Sequence, residues 1–281
     1  MTDIVNRLFL YTICVFLWGG VNAAQAAKEP ITLIFGVVPQ QSPSEVAHLW
    51  NPLFSYLTQK TGYRFQFRTA REVAVYDQRL DKGEFDISYM SPYHYTVVHK
   101  HVGYEVFAKE KDRKLKGIII TRKDSTYKTI EDLQGAQIAF PGPLAIAATI
   151  LPLAQLKKDG IKVKPVYVAS HDSVFKTVIK GLYPAGGTIE RLYESLEPEQ
   201  RDQLRILWQS STYTPHAIAA HPRVPTEVVE KIKTALLAME QDPVGRQVLT
   251  HLTFKGIVSA TDAEYADMRA LGDIVKEITK Q

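Results

Sequence analysis

Short apolar runs rich in β-branched and aromatic residues alternate with stretches of helical spacing, and this alternation limits the possible folds more than any other feature of the chain. The run at 31–38, ITLIFGVV, is typical of a buried strand. Apolar residues at helical spacing follow over 46–57, which predicts a helix with one face in a core. Because the same unit recurs along the chain, the sequence predicts an α/β architecture with parallel sheets.

The remaining predicted elements continue the alternation. Further strands are predicted at 63–68, 85–90, 117–121, 136–140, 163–168, 204–208 and 217–220. Further helices are predicted at 73–80, from 91 onwards, at 129–133, 144–158, 170–180 and 226–240, and from 261 to the end of the chain. Capping boxes are expected where Ser42 precedes Glu45 and where Thr261 precedes Glu264. Gly62 is expected to end the first helix.

The first 26 residues have the order of a secretory signal peptide. Arg7 is followed by the apolar run 8–21 and by an A-x-A cleavage pattern at 24–26. A membrane anchor is the alternative, but the apolar run is shorter than the roughly 20 residues that a spanning helix needs. We therefore predict cleavage after Ala26 and a mature chain, residues 27–281, in the periplasm.

Composition and motifs argue against several classes of protein. The only cysteine, Cys14, lies in the predicted signal peptide, so the mature chain would hold no disulfide, thiolate metal site or cysteine nucleophile. The formal net charge is +4 and the basic residues are scattered, so no nucleic-acid partner is predicted. No catalytic or nucleotide-binding motif is present, so we expect neither enzymatic activity nor a cofactor. Because no coiled-coil pattern or long exposed strand edge is evident, a monomer is expected.

Three predicted corners between a strand and a helix are candidate ligand sites. They lie at 38–42, 90–95 and 140–144. In α/β sheets, ligands bind beyond the carboxyl ends of strands, and a helix start offers free N–H groups and a positive dipole end to an anion. The first two corners supply the candidate ligand-binding residues Gln40, Gln41, Tyr93 and His94.

Two histidines are further candidates for ligand binding. His171 follows Ser170 at another predicted helix start and can carry charge. His216 lies just before the predicted strand 217–220. The pair His99 and His101 does not align on one helix face and is separated by a lysine, so no metal site is predicted.

Several segments resemble the phosphate/phosphite/phosphonate-binding proteins of ABC importers. In chain order they read FGVVPQQSPSE, WNPLFSYLTQKTGYRFQF, FDISYMSPYHY, IITRKDSTYKTIEDLQGAQIAF and SHDSVFKTVIKGL. The resemblance covers nearly all of the predicted mature chain. It implies the type II periplasmic binding protein fold, in which two α/β lobes are joined by a two-strand hinge.

The resemblance also implies how the chain is divided. Residues 27–117 and 217–281 would form the first lobe, and residues 118–216 the second. The crossover strands would lie near 117–121 and 215–220. A small ligand, with an anion favoured, would bind between the lobes and pass to the membrane permease of an ABC importer.

The segment that should grip the ligand departs from the family. The family holds its oxyanion with a Ser/Thr-rich turn after the strand that matches 136–140, whereas the turn here reads PGPLAIAA and has no hydroxyl group. Ala145 is a candidate for its backbone N–H alone. Pro184 replaces an acidic residue, whereas Tyr93 and His171 are retained. Arg71 is a weaker candidate for a counter-charge to an anion.

Two other functions fit the same sequence. The chain could be a ligand-sensing periplasmic partner of a membrane sensor kinase, or an exported metal carrier or enzyme. Genes for a permease and an ATPase beside this one would indicate the importer, whereas genes for a kinase and a regulator would indicate the sensor.

Overall fold

The computed structural model describes residues 30–279. The predicted signal peptide and its cleavage site lie outside these residues. Within them, no helix is both long enough and apolar enough to cross a membrane.

Eleven strands of the described chain form two separate sheets. The first sheet has the order β11-β4-β10-β3-β1-β2 and the second the order β7-β6-β8-β5-β9. The strands are β1 (Thr32–Val37), β2 (Arg64–Arg68), β3 (Ile87–Met90), β4 (Glu105–Glu110), β5 (Gly117–Arg122), β6 (Gln137–Phe140), β7 (Lys164–Tyr167), β8 (Ala185–Ile189), β9 (Leu204–Gln209), β10 (Ala217–Ala220) and β11 (Ile257–Ser259).

Helices pack around both sheets, and each sheet with its helices forms one lobe. The α-helices are α1 (Pro43–Thr61), α2 (Val73–Asp81), α3 (Pro92–His101), α4 (Leu151–Lys158), α5 (His171–Ile179), α6 (Glu190–Glu194), α7 (Pro198–Arg201), α8 (Thr226–Leu237), α9 (Pro243–His251), α10 (Ala266–Arg269) and α11 (Gly272–Thr279). The first lobe is built on the first sheet and the second lobe on the second sheet.

The prediction of parallel sheets is wrong in part, because both sheets are mixed. β1 runs parallel to β2 and β3, and β6 runs parallel to β7 and β8. In contrast, β10 is antiparallel to β3 and β4, and β5 is antiparallel to β8 and β9. The antiparallel strands β5 and β10 are those by which the chain enters a sheet from the other lobe, so they are not joined to a neighbour by a helical crossover.

Several predicted helix ends are confirmed. The Ser42 hydroxyl accepts a hydrogen bond from the Glu45 N–H, and Gly62 ends α1 in the left-handed conformation. Only this half of the predicted capping box forms, because the Glu45 side chain does not bond back to the Ser42 N–H. Thr261 and Glu264 form a full capping box. The single helix predicted after Thr261 is wrong, because a 3-10 turn, α10 and α11 share that segment.

The chain crosses between the lobes in two adjacent segments, 111–116 and 210–216. Leu115 and Tyr213 exchange two backbone hydrogen bonds, of 2.7 and 2.8 Å. The predicted hinge strands near 117–121 and 215–220 are therefore displaced. β5 belongs wholly to the second sheet and β10 to the first, so the crossing occurs just before each strand.

The last helix, α11, packs on the second lobe, although the strand before it, β11, belongs to the first lobe. α11 packs against α4, and Lys157 forms an ion pair of 3.1 Å with Glu277. The predicted lobe boundaries assign all of 217–281 to the first lobe. The packing of α11 on the second lobe thus gives the two lobes a third connection.

The predicted helix 144–158 begins instead as a π-helix, Ile146–Ile150, that continues into α4. Its first turn lies directly against the second sheet. A Cβ added to Gly117 would lie 1.9 Å from the Ala147 carbonyl oxygen, and one added to Gly187 would lie 2.0 Å from that of Ala148. Only glycine permits this close approach, which sets the position of the helix start.

Candidate ligand-binding site

A cavity of about 40 Å3 lies between the two lobes. Both lobes and the crossover segments contribute to its wall. Its lining residues from the first lobe and the crossovers are Val38, Pro39, Gln40, Val73, Asp77, Ser91, Pro92, Leu115 and His216. Its lining residues from the second lobe are Leu144, Ala145, Ile146, Ala147, Ala148, His171 and Ile189.

The second-lobe wall is the start of the helix that runs from 146 to 158. Ala145 is its N-cap, and the residues that follow present the N–H groups of a first helical turn, which have no carbonyl partner inside a helix. The turn before them is held by Thr149, whose buried hydroxyl donates a 2.7 Å hydrogen bond to the Gly142 carbonyl. The hydroxyl group nearest to this turn thus stabilises the turn itself, and the hydrogen-bond donors that remain for a ligand are backbone N–H groups.

A chain of three polar side chains joins the lobes at the cavity. Arg191, on α6 of the second lobe, donates a hydrogen bond to Oε1 of Gln40, which follows β1 of the first lobe. The Nε2 atom of the same Gln40 lies 3.1 Å from Nε2 of His216. Arg191 also lies over the ring of Phe254 in the first lobe, 5.9 Å from its centroid. Arg191 therefore holds two contacts across the interface between the lobes.

The hydrogen bonds from Arg191 to Gln40 and between Gln40 and His216 determine which ring nitrogen of His216 carries the proton. A guanidinium has only donors, so the Gln40 oxygen must face Arg191 and the Gln40 NH2 must face His216. The Nε2 atom of His216 must then accept, which leaves its proton on Nδ1. Within residues 30–279 that Nδ1–H has no hydrogen-bond acceptor, although the imidazole lines the cavity. His216 is thus prepared as a neutral donor.

His171 is the second buried imidazole of the cavity. It is 6% exposed, and its Nδ1 lies 2.9 Å from the hydroxyl of Thr188 on β8. Its Nε2 has no partner in the described part of the chain. One nitrogen is thus held by the second sheet, and the other is available to a ligand.

Burial keeps both histidines neutral. Burial lowers the pKa of His171 to about 3, and the charge of Arg191 acts in the same direction. Burial also lowers the pKa of His216 to about 3, with Arg191 and then His171 adding to the effect. Tyr89 stacks on His216, with ring centroids 5.0 Å apart, which completes the burial of the imidazole.

A carboxylate lies in the wall of the first lobe. Asp77, on α2, is 6% exposed, and its Oδ1 lies 3.4 Å from Nδ1 of His94. The other ring nitrogen of His94 lies 3.1 Å from Oδ1 of Asp81. Burial lowers the pKa of His94, but the hydrogen bond that His94 donates to Asp81 and the charges of Asp77 and Asp81 outweigh it, so the pKa is raised.

The structure brings four of the seven candidate residues together. The candidates that line the cavity are Gln40, Ala145, His171 and His216. The other three lie outside it. Gln41 lines a separate surface groove, Tyr93 packs half-buried against the core, and His94 lies behind Asp77. The ligand-binding role of each residue stays a prediction.

Arg191 and Asp77 were missed by the sequence analysis. Arg191 lies on a helix of five residues that has no recognisable pattern, and Asp77 looks like an ordinary polar position of an amphipathic helix. The candidate counter-charge, Arg71, is exposed and does not line the cavity. A possible signal for Arg191 was its place directly after the apolar strand β8, at the end where ligands bind.

Two α/β lobes, two crossover segments and a polar cavity between the lobes define a type II periplasmic binding protein. A family model described as "ABC transporter, phosphonate, periplasmic substrate-binding protein" matches residues 35–265. The chain belongs to this family. It is therefore a periplasmic substrate-binding component of an ABC importer, with a small-molecule ligand and a membrane permease as partners.

Known relatives agree with this assignment. The phosphate-import protein PhnD of Mycolicibacterium smegmatis is 21% identical over an alignment 276 positions long, and the match covers 87% of this chain and 86% of the relative. A binding protein of an ABC phosphonate transporter from Pseudomonas aeruginosa has a similar structure, with a TM-score of 0.81, 17% identity, and coverage of 89% of this chain and 88% of the other.

A second solved structure has the same fold with a ligand bound. PhnD1 from Prochlorococcus marinus in complex with methylphosphonate gives a TM-score of 0.79 at 15% identity, over 90% of this chain and all of the other. The resemblance inferred from the sequence segments and the predicted fold class are thus confirmed. The alternative role beside a sensor kinase stays a prediction.

Proposed function

We propose that this protein binds a small tetrahedral phosphorus oxyanion, such as phosphite, methylphosphonate or phosphate, in the cavity between its lobes and delivers it to an importer. The observation that carries the proposal is the meeting of a helix start with two neutral imidazoles at one cavity. Backbone N–H groups at a helix start favour an anion, and each charge-assisted hydrogen bond contributes about 1.5–3 kcal/mol. These donors replace the hydroxyl groups that the family uses.

The size of the cavity supports a small ligand. A volume of about 40 Å3 is room for about three water molecules, at roughly 10–15 Å3 each. A phosphorus atom with four small substituents needs space of this order. Phosphonates with long side chains would require the lobes to separate.

The apolar part of the wall supports a ligand with one non-polar substituent. Val38, Val73 and Ile189 line the cavity together with the alanines of the helix start. A P–H or P–CH3 group can lie against such a wall without losing a hydrogen bond, whereas a fourth oxygen atom would need a donor there. We therefore rank phosphite and methylphosphonate above phosphate.

The lobes are proposed to close on the ligand by bending at the crossovers. Residues 27–117 and 217–281 would move against 118–216, with α11 as a strap between them. Arg191 and Gln40 belong to different lobes, so their hydrogen bond can form only in the closed arrangement. Ligand binding and formation of this bond would therefore stabilise each other. We also propose that the protein is exported by a signal peptide cleaved after Ala26 and that it is a monomer.

Thermal unfolding of the exported protein tests the ligand class. The solutes are phosphite, methylphosphonate, phosphate, small carboxylates and neutral amides. At a hundred times its dissociation constant a ligand adds about 2.7 kcal/mol to the stability of the folded state. We expect a higher melting temperature with at least one phosphorus oxyanion. A higher melting temperature with a neutral solute alone would contradict the proposal.

A cavity-filling variant tests the location. Ala145→Leu adds a larger side chain at the cavity wall and should remove the ligand-induced shift while the protein still unfolds cooperatively. Ala154→Leu is the matched control, because Ala154 lies on α4 of the same lobe and lines a separate surface groove. Equal ligand responses in the two variants would place the site elsewhere.

A further inference from the structure

Asp77 is a buried carboxylate in a cavity that otherwise offers donors to an anion. It is the only acidic residue among the described residues that line the cavity, and it is 6% exposed. It shares a face of α2 with Val73, one turn earlier, which lines the same cavity. A carboxylate in this position repels a fully deprotonated oxyanion, and the proposed function leaves this feature unexplained.

The surrounding residues leave part of this carboxylate without a partner. The nearest charged group is His94, whose Nδ1 lies 3.4 Å from Asp77 Oδ1, and His94 is shared with Asp81. Across residues 30–279, Asp77 Oδ2 has no hydrogen-bond donor. The oxygen atom is not fully buried, because Tyr265 OH is the one fully buried and unpartnered side-chain polar atom among the described residues, so a ligand in the cavity can donate a hydrogen bond to Oδ2. The other titratable groups at the cavity are His171 and His216, which are both neutral, and His216 is a donor through its Nδ1 atom.

The cavity therefore has two chemically different walls. The second lobe contributes the first-turn N–H groups at Ile146–Ala148, and the first lobe contributes Asp77. A ligand that satisfies both walls carries negative oxygen atoms on one side and a hydrogen-bond donor on the other. Burial also raises the pKa of Asp77 to about 6, which the His94 charge opposes and the Asp81 charge reinforces, so Asp77 accepts a hydrogen bond above that pH.

We propose that Asp77 makes the site select oxyanions that carry a proton donor and reject oxyanions that carry none. This inference rests on the proposed function. The donor can be the P–OH group of a singly protonated phosphite, phosphonate or phosphate, or the ammonium group of a short aminoalkylphosphonate. The shared chemistry is a hydrogen bond donated to a buried carboxylate. Sulfate has the same shape as phosphate but has no proton at neutral pH, so it would be rejected.

Calorimetric titrations with phosphate, methylphosphonate, aminomethylphosphonate and sulfate at pH 7 test this selection. In the unaltered protein, phosphate should bind at least roughly 100-fold more tightly than sulfate, because one charge-assisted hydrogen bond is exchanged for repulsion. The Asp77→Asn variant has a side chain of nearly the same shape whose amide can donate a hydrogen bond to the ligand. In this variant the ratio of phosphate affinity to sulfate affinity should fall below roughly tenfold, because sulfate binds more tightly. If aminomethylphosphonate loses the most affinity in this variant, the donor is the ammonium group. If methylphosphonate and phosphate lose as much, the donor is P–OH.

Asp81→Asn is the matched control. It removes a carboxylate that contacts the same histidine but does not line the cavity, so the phosphate-to-sulfate ratio should stay as in the unaltered protein. An unchanged ratio in Asp77→Asn, or equal binding of phosphate and sulfate by the unaltered protein, would overturn the inference and leave the proposed function standing. Failure of the unaltered protein to bind any of the phosphorus oxyanions would overturn both.

A second measurement needs no variant. The affinity of the unaltered protein for methylphosphonate should fall as the pH rises from 7 to 9, because the ligand loses the proton that Asp77 binds. His94, Asp81, His171 and His216 are the other titratable groups near Asp77. Of these, His171 and His216 are already neutral over this range. An affinity that is constant or rises over this pH range would also overturn the inference.

Discussion

At the scale of single residues, the Arg191–Gln40–His216 chain determines how the cavity presents its donors. Arg191 forms no ion pair with a carboxylate of the described chain, and its partners are an amide oxygen and an aromatic ring. Its position suggests that it acts through Gln40 and His216, and that it contributes most when the lobes are closed.

Replacing Arg191 should weaken ligand binding without unfolding the protein. Arg191→Met keeps the packing on Phe254 but loses the hydrogen bond that orients Gln40 and holds the lobes together. A hydrogen bond from a charged group contributes about 1.5–3 kcal/mol, so the dissociation constant should rise roughly 10- to 100-fold in calorimetry.

Arg122→Met is the control for this variant. Arg122 belongs to the same lobe but forms an exposed ion pair with Asp124. The dissociation constant of the ligand from the Arg122→Met variant should stay within about twofold of that for the unaltered protein, since exposed ion pairs contribute little. Equal losses in the two variants would contradict the role assigned to Arg191.

The histidines should titrate in two groups. His94 lies between two carboxylates and should gain its proton above its ordinary pKa of 6.5, whereas His171 and His216 should stay neutral until the pH approaches 3. The imidazole proton signals in a pH-dependent NMR experiment report each group. Titration of His171 and His216 near pH 6.5 would contradict their burial in the closed cavity.

The lowered pKa values of His171 and His216 also predict how the stability of the protein depends on pH. The unfolded chain binds a proton at each of these histidines below about pH 6.5, whereas the folded chain does not until about pH 3. Because the unfolded state then binds more protons at these two histidines, the free energy of unfolding should decrease as the pH falls through this window, and the raised pKa values of Asp77 and His94 oppose only part of this decrease. Chemical denaturation at pH 7.5 and pH 5 measures the difference, and greater stability at pH 5 would contradict the account.

At the scale of elements, the helix start at Ile146 is the part of the fold that most directly makes an anion site. Its N-cap, Ala145, has an extended backbone with φ −72° and ψ 92°, which a following proline tolerates. Ile146→Pro would therefore remove one N–H group at a position where proline is accepted in helices.

The comparison of Ile146→Pro with Ile146→Val isolates that N–H group. The proline variant should bind a phosphorus oxyanion roughly 10- to 100-fold more weakly, because one charge-assisted hydrogen bond is lost. The valine variant keeps the N–H group and should stay near the unaltered affinity. Calorimetry measures both, and equal affinities would show that the helix start does not contact the ligand.

Gly187 is needed where the helix start lies against the second sheet. Gly187→Ala places a methyl group 2.0 Å from the Ala148 carbonyl oxygen, so the backbone must shift. We expect a loss of about 1–3 kcal/mol in the free energy of unfolding, measured by chemical denaturation, with weaker ligand binding. The control is Gly272→Ala, where an added Cβ meets no atom within 4 Å. Equal stabilities of these two variants would contradict the account.

Most elements could be predicted because their signals are local. Caps such as Thr261 with Glu264 depend on residues three positions apart, and apolar periodicity marks the buried strands. The elements that were not predicted are the strands β4, β8 and β11, the helices α6, α7 and α9, and the π-helical start. β8 contains two glycines with little strand preference, and the π-helix depends on the close contact of glycines and alanines from distant parts of the sequence.

At the scale of the whole molecule, the lobes are built from interleaved parts of the chain. The order of matching segments was enough to predict this architecture and the family, because both depend on features spread over the full length. The cavity depends on contacts between lobes, which no local pattern encodes. Gln40 and Arg191 are 151 residues apart and meet only when the lobes face each other. Gln40 could be placed from a strand end, His171 and His216 from the bounds of a helix and a strand, and Ala145 from the family resemblance. Arg191 and Asp77 could not be placed.

The most direct test of the central claim is a calorimetric titration of the exported protein with phosphite, methylphosphonate and phosphate at pH 7. The account predicts that at least one of them binds with a stoichiometry of one ligand per chain, through the donors at the cavity between the lobes. The absence of binding heat for all three, together with one-to-one binding of a neutral solute, would contradict the account and show that the fold serves another ligand.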